Sequence, residues 1–208
     1  MLPQTGVTFS CDDAALQKLF DEAERKCLHN LKDFGTDTVL VEGGGDEKIW
    51  LETQPMGGEM YWKRNMTAAM NNQLLFMRTQ RADGRIAGSI QCHPDGTIEP
   101  QFNKFQGFCF PLHALNMWYL SGKEPAYLDM LADCLEKFDA YLWKTRDSDG
   151  DGCLESFCVY DTGEDNALRY GHAPVYCTTD TPPEDADVVP MASMDVTSFS
   201  YACRDTLA

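Results

Sequence analysis

The residues best suited to hold a cation form an acidic loop, Asp147-Ser148-Asp149-Gly150-Asp151-Gly152-Cys153-Leu154-Glu155. As in the first part of a calcium-binding loop, carboxylates stand at positions 1, 3, 5 and 9, glycine at position 6 and the backbone carbonyl of Cys153 at position 7. Position 12, where an EF-hand has a bidentate glutamate, is Cys158, and the segment from Leu154 to Tyr160 has an extended pattern. The loop is therefore not that of a calcium sensor. A structural Ca²⁺ site and a solvated Asp/Gly turn both fit it.

A second acidic segment has the residue types needed for acid catalysis. It reads Tyr160-Asp161-Thr162-Gly163-Glu164-Asp165-Asn166-Ala167-Leu168-Arg169-Tyr170. Glycoside hydrolysis needs a carboxylic acid beside the leaving oxygen and a second carboxyl group across the sugar ring. A carboxyl group partly shielded from water keeps its proton to higher pH, as a proton donor must. Because acidic loops are common, the segment taken by itself fits a surface turn better than a catalytic loop.

A third segment, residues 48–65, mixes aromatic rings with acids, amides and glycines. It contains Trp50, Glu52, Glu59, Tyr61 and Trp62. Flat aromatic faces can stack on the C–H surfaces of a sugar while polar groups bind its hydroxyls, so the composition suits saccharide binding. Trp50, Tyr61 and Trp62 could equally be packing anchors, and packing is the better explanation for any one of them taken singly.

Composition and charge restrict the classes of partner. The chain has 208 residues, of which 43% are apolar, so it can form a globular core. Its 33 acidic and 17 basic side chains give a net charge of −16, which disfavours nucleic acid as a partner. Apolar runs are too short for a membrane span. The nine cysteines are scattered without a Cys-x-x-Cys pair, which favours free thiols in a reducing compartment and predicts a cytoplasmic location.

Helices separated by long loops are expected to position these motifs. Apolar residues recur at helical spacing after Asp12-Asp13 as far as Gly35, and again over residues 65–81 and 105–120, from Glu124 onward, and from Ala192. Residues 36–62 and 147–190 lack this spacing and carry the motifs described above. Extended pieces are expected only near residues 38–41 and 154–160, so the pattern predicts an all-α fold.

Four motifs, in this order, resemble those of the trehalase-like six-hairpin glycosidases, which include processing α-glucosidase I and mannosylglycerate hydrolase. Trp50-Leu51-Glu52 followed by Gln80-Arg81-Ala82-Asp83-Gly84-Arg85-Ile86 is similar to the family's W-x-D and Q-x-x-D-G-x-I stretches. Trp143 to Gly152 resembles W-x-x-x-R-D-x-D-G-D-G. Glu164-Asp165-Asn166-Ala167-Leu168-Arg169 is similar to M-D-N-S-P-R, and Met194 to Phe199 resembles the stretch that opens a later inner helix.

The resemblance implies an (α/α)6 toroid and inverting hydrolysis of an α-linked glucoside or mannoside, in an oligosaccharide or small glycoside. It implies Asp165 as the general acid and sugar contacts from Trp50, Glu52, Arg169 and Asp195. It also favours Ca²⁺ in the acidic loop, with Asp147, Asp149, Asp151, Cys153 and Glu155 as ligands. Glu52 replaces the family's aspartate, and Ala167-Leu168 replaces Ser-Pro, which leaves the sugar undetermined.

The family's general base is a glutamate in the later half of the toroid, and five or so helices do not close a six-hairpin ring. Residues 1–208 are therefore expected to be the N-terminal half of a catalytic domain, acting with the remainder of the same polypeptide. Two other hypotheses fit the residues: a non-catalytic, Ca²⁺-stabilised carbohydrate-binding module, and a helical interaction module with solvated acidic loops.

Overall fold

The computed structural model describes residues 6–105, 110–164, 166–177, 180 and 191–208. Its helices are α1 (Ala14–His29), α2 (Gln54–Gly57), α3 (Met66–Arg78), α4 (Phe110–Leu120), α5 (Pro125–Thr145) and α6 (Met194–Leu207). Its strands are β1 (Leu31–Phe34), β2 (Asp37–Leu40), β3 (Lys48–Trp50), β4 (Ser89–Cys92), β5 (Ile98–Gln101), β6 (Glu155–Ser156) and β7 (Met191–Ala192). Short 3-10 turns occur at Val159–Asp161 and Leu168–Tyr170.

The five helices expected from apolar spacing are present. Asp13 caps α1 through its carboxylate, which accepts hydrogen bonds from the backbone N–H groups of Ala15 and Leu16. Helix α5 begins with Pro125, and proline suits the first turn of a helix. The apolar stripe of α5 is buried. The first helix ends at His29 rather than near Gly35, because residues 31–40 form a hairpin instead.

The prediction of an all-α (α/α)6 toroid is wrong. Within the described residues the helices are combined with seven strands in three small antiparallel sheets, ordered β1-β2, β3-β4-β5 and β6-β7. No strand in the part of the chain that the structure describes exceeds four residues, so none gives a long alternating pattern in the sequence. The fold is mixed α/β, with the small sheets set among the loops that connect the helices.

The three-stranded sheet joins distant parts of the chain. Trp50 of β3 pairs with Ser89 of β4, and Ser89 pairs with Gln101 of β5. Beyond the last pair, the Leu51 N–H donates to the Gly88 carbonyl and the Gly88 N–H donates to the Gln101 carbonyl, at 2.9 and 3.0 Å. These bonds fix the segment that carries Trp50 against the chain leading into residue 104.

One main apolar core lies between the sheets and helices α3 to α6, and it includes Phe76, Phe105, Phe138 and Phe199. Burial of such large side chains supplies most of the stabilisation. In contrast, α1 has no buried residue and lies at the surface. No helix in the described part of the chain combines the length and apolarity needed to cross a membrane.

Candidate functional site

The aromatic pocket is a cavity of about 450 Å³ with a mainly polar lining. Its lining residues are Glu42, Gly43, Asp46, Lys48, Trp50, Glu52, Tyr160 and Tyr176. The volume lies within the range of small-molecule sites. Aromatic rings, carboxylates and an ammonium group thus meet in one cavity, an arrangement suited to a polar, ring-shaped ligand.

Strand β3 supplies one wall of the aromatic pocket. Side chains alternate across a strand, so Ile49 enters the core at 1% exposure while Lys48 and Trp50 face the cavity. The Lys48 ammonium lies 5.5 Å from the centroid of the Trp50 ring and donates to Gln101 Oε1 at 3.1 Å. The short strand thereby presents an aromatic ring and a cation on the same side.

The opposite wall comes from two segments of the loop after α5. The rings of Tyr160 and Tyr176 meet edge to face, with centroids 5.0 Å apart. The Val159 N–H donates to the Pro174 carbonyl at 2.9 Å, and the Tyr160 N–H donates to the Val175 carbonyl at 3.3 Å. Sequence reasoning missed Tyr176, which lies outside every motif, and had no signal that would bring it to Trp50.

A buried ion pair anchors this loop. Arg146 Nη1 donates to Asp161 Oδ2 at 2.6 Å, and both side chains are 1% exposed or less. The Phe157 N–H donates to the same oxygen at 2.7 Å, and the guanidinium lies 4.0 Å from the Phe157 ring centroid. Burial by itself would lower the pKa of Arg146, but the Asp161 carboxylate more than offsets this and raises it. The loop that carries Tyr160 is therefore held by a charge pair inside the protein.

Glu52 connects the aromatic pocket to the acidic segment around residue 165. Gly163 has a φ of +72°, and a Cβ atom there would overlap the Glu52 carboxylate. The positive φ favours glycine at this position, and a larger residue would also displace the end of the Glu52 side chain. Glu52 and the acidic segment are therefore in contact in the structure.

Arg169 and Asp195, the other predicted sugar contacts, form an ion-pair group beside this segment. Arg169 Nη2 lies 2.7 Å from Asp195 Oδ2 and 2.8 Å from Glu164 Oε2. The hydrogen bond to Asp195 is the main cause that raises the pKa of Arg169. Neither residue lines the aromatic pocket. Asp165, the predicted general acid, lies outside the described residues.

The acidic loop brings three of its predicted metal ligands together. Carboxylate oxygens of Asp147, Asp149 and Asp151 lie within 4.8 Å of one another, close enough to hold a metal ion. Glu155 is oriented differently, since its two oxygens accept hydrogen bonds from the backbone N–H and hydroxyl of Ser148, at 3.1 and 2.8 Å.

Cys153, the remaining predicted ligand, follows these carboxylates. Its N–H donates to Asp151 Oδ1 at 2.7 Å, and its thiol is exposed. Gly150 and Gly152, with φ of +74° and +86°, allow the tight turns that bring the three aspartates together.

The chain was compared with known protein families, curated proteins and solved structures, and no relative was found. No protein-family model matches the chain, and no curated protein or solved structure is significantly similar to it. The geometry and the sequence motifs are therefore the basis of the functional assignment.

Proposed function

We propose that this chain contributes to a glycoside hydrolase that cleaves an α-linked glucoside or mannoside with inversion. In this proposal the sugar binds in the aromatic pocket, and Asp165 protonates the leaving oxygen. A second carboxylate activates water on the opposite face of the ring. Trp50 stacks on the sugar, Glu52 accepts a hydrogen bond from a hydroxyl, and Arg169 with Asp195 braces the acidic segment. The proposal does not depend on a toroidal fold.

One observation carries the proposal: Glu52 lines the aromatic pocket and also packs against Gly163, two residues before Asp165. An aromatic, carboxylate-rich cavity therefore borders the segment in which the sequence motifs predict a proton donor. The same pocket also suits a non-catalytic carbohydrate-binding module, which would bind the sugar without cleaving it.

Glu52→Gln tests the sugar-binding role of the pocket. A hydrogen bond to a charged group contributes roughly 1.5–3 kcal/mol, so we expect the Kd for maltose, measured by isothermal titration calorimetry, to rise by about 10- to 100-fold. Glu47→Gln is the matched control, because Glu47 is 67% exposed and pairs with Lys32 outside the pocket.

Unchanged affinity in the Glu52 variant would remove the aromatic pocket from the proposal. Assays of the full-length protein then separate the two functions. Release of sugar with inverted anomeric configuration, followed by NMR, supports the hydrolase. Tight binding without release by the intact polypeptide supports the binding module.

We further propose Ca²⁺ as the ion of the acidic loop. The three aspartate carboxylates offer hard oxygen ligands, which Ca²⁺ prefers, and the loop spacing is that of the first part of a calcium loop. The carbonyl of Cys153 and the carboxylate of Glu155 complete the proposed ligand set. To bind the ion, the Glu155 carboxylate would have to give up its two hydrogen bonds from Ser148.

Calcium should stabilise the folded protein. At a free concentration of ~100 Kd, a ligand specific for the folded state adds about 2.7 kcal/mol, which corresponds to a rise in Tm of roughly 5–10 °C. Differential scanning calorimetry in millimolar Ca²⁺ and in EDTA measures this shift. The double variant Asp149→Asn/Asp151→Asn should lose it. Equal melting temperatures of the native protein in both buffers would exclude a calcium site that matters for stability.

A further inference from the structure

Lys104 lies beneath the aromatic pocket and is 1% exposed. Its ammonium is 4.5 Å from the centroid of the Trp50 ring and 5.2 Å from that of Tyr176. Its hydrogen bond goes to the side chain of Asn103, at 3.0 Å, and it forms no ion pair with a carboxylate of the described residues. A buried cation is thus in contact with the faces of two aromatic walls, an arrangement that favours its charged form.

The backbone is arranged to let this side chain reach the pocket. A Cβ atom on Gly88 would lie 2.7 Å from Lys104 Cγ and 2.7 Å from its carbonyl oxygen, so a larger residue at position 88 would collide with the stem. The Asn103 carbonyl accepts a hydrogen bond from the Cys177 N–H at 3.0 Å, next to Tyr176. The same short segment therefore contacts the three-stranded sheet and the loop that forms the far wall.

We infer that Lys104 is a positioning residue whose ammonium holds Trp50 and Tyr176 in place as the two walls of the aromatic pocket, so that saccharide binding requires its protonated form. Trp50 comes from β3 and Tyr176 from a loop more than a hundred residues later in the chain. A cation between their rings attracts both, whereas a neutral amine does so only weakly. This inference rests on the proposed saccharide site.

Burial, together with the charge of Lys48, makes the protonation of Lys104 sensitive to mildly alkaline pH. Burial, and then the positive charge of Lys48, lowers the pKa of Lys104 to about 8. Asp46, Cys158 and Glu52 act in the opposite direction but do not restore the usual value. Below this pKa the ammonium holds the rings. Above it the charge is lost, so binding should weaken as pH rises from 7 to 9.5.

The test combines Lys104→Met, which keeps the length of the side chain without its charge, with Lys104→Arg, which keeps a charge at all these pH values. Lys123→Met is the matched control, because Lys123 also lies over two rings, those of Trp118 and Tyr119, but at an exposed position. Maltose binding is measured by calorimetry from pH 6.5 to 9.5. Tryptophan fluorescence is recorded over the same range without sugar, and Trp50→Phe identifies the contribution of Trp50.

We expect native affinity to fall roughly tenfold from pH 7 to 9.5. Lys104→Met should bind maltose weakly at every pH. Lys104→Arg and Lys123→Met should both bind it like the native protein at pH 7. Lys104→Arg should in addition lack the decline in affinity at alkaline pH. The Trp50 fluorescence should titrate near pH 8 and lose this transition in Lys104→Met. A Trp50 signal that does not titrate there, or native affinity in Lys104→Met, would overturn the inference. A titrating Trp50 signal in a protein that binds no sugar would instead refute the proposed function while leaving the role of Lys104 in ordering the rings intact.

Discussion

Replacing Asp165 by Asn is expected to lower kcat for an unactivated α-glucoside by about 10²- to 10⁴-fold, the usual contribution of general acid catalysis. Asparagine matches the shape of aspartic acid but has no acidic proton to transfer to the leaving oxygen. Since Glu52 and the aromatic rings are unchanged, the Kd for sugar should stay within about twofold of the native value. Steady-state hydrolysis by the full-length protein and calorimetric binding measure the two quantities separately.

The leaving group offers a sharper discrimination. Fluoride leaves α-glucosyl fluoride without being protonated. Asp165→Asn should therefore hydrolyse this substrate at close to the native rate while failing on maltose. Asp133→Asn, the same substitution on the exposed face of α5, should leave both rates unchanged. Equal losses on the two substrates would show that Asp165 is not the proton donor. Native turnover of maltose by the variant would end the assignment of Asp165 altogether.

The helices could be predicted from the sequence because their burial is periodic. In α5, Leu131, Leu135, Phe138 and Leu142 recur every three or four residues and are all buried, so the pattern mirrors the packing. The small sheets had no comparable signal. Trp50 pairs with Ser89 across nearly forty residues, and a three-residue strand such as β3 leaves no measurable alternation. The exception is the Asp95-Gly96 pair between β4 and β5, which is a hairpin signal that the sequence does carry.

The candidate site shows the same division between local and long-range information. Glu52 lies in a recognisable motif and Gly163 in the acidic segment, so both segments could be singled out from the sequence. Lys104 and Tyr176 belong to none, and they reach Trp50 only through tertiary packing. Arg146 does lie within a motif, but its burial was not recognisable, because an arginine at the end of a helix is normally exposed. Residues whose role depends on a partner far along the chain require the structure.

The buried pair of Arg146 and Asp161 should dominate the stability of the site. Asp161→Asn leaves a fully buried guanidinium without its counter-charge, which typically costs about 3–5 kcal/mol. That is a large part of the ~5–15 kcal/mol by which a domain is stable. We expect the urea midpoint, followed by tryptophan fluorescence, to fall accordingly. The loop that carries Tyr160 should also lose its anchor, since the Phe157 N–H shares the same carboxylate.

Two comparisons separate this buried pair from ordinary surface charge. Asp133→Asn breaks an exposed pair with Lys137 on α5, and such pairs contribute about 1 kcal/mol or less. The double variant Arg146→Met/Asp161→Asn removes the orphaned charge as well, so it should be more stable than Asp161→Asn by itself. A native urea midpoint for Asp161→Asn would contradict the role of the pair. The single variant Arg146→Met completes the comparison. A double variant whose loss of unfolding free energy equals the sum of the losses in the two single variants would also contradict this role, because additivity would mean that the two side chains do not stabilise one another.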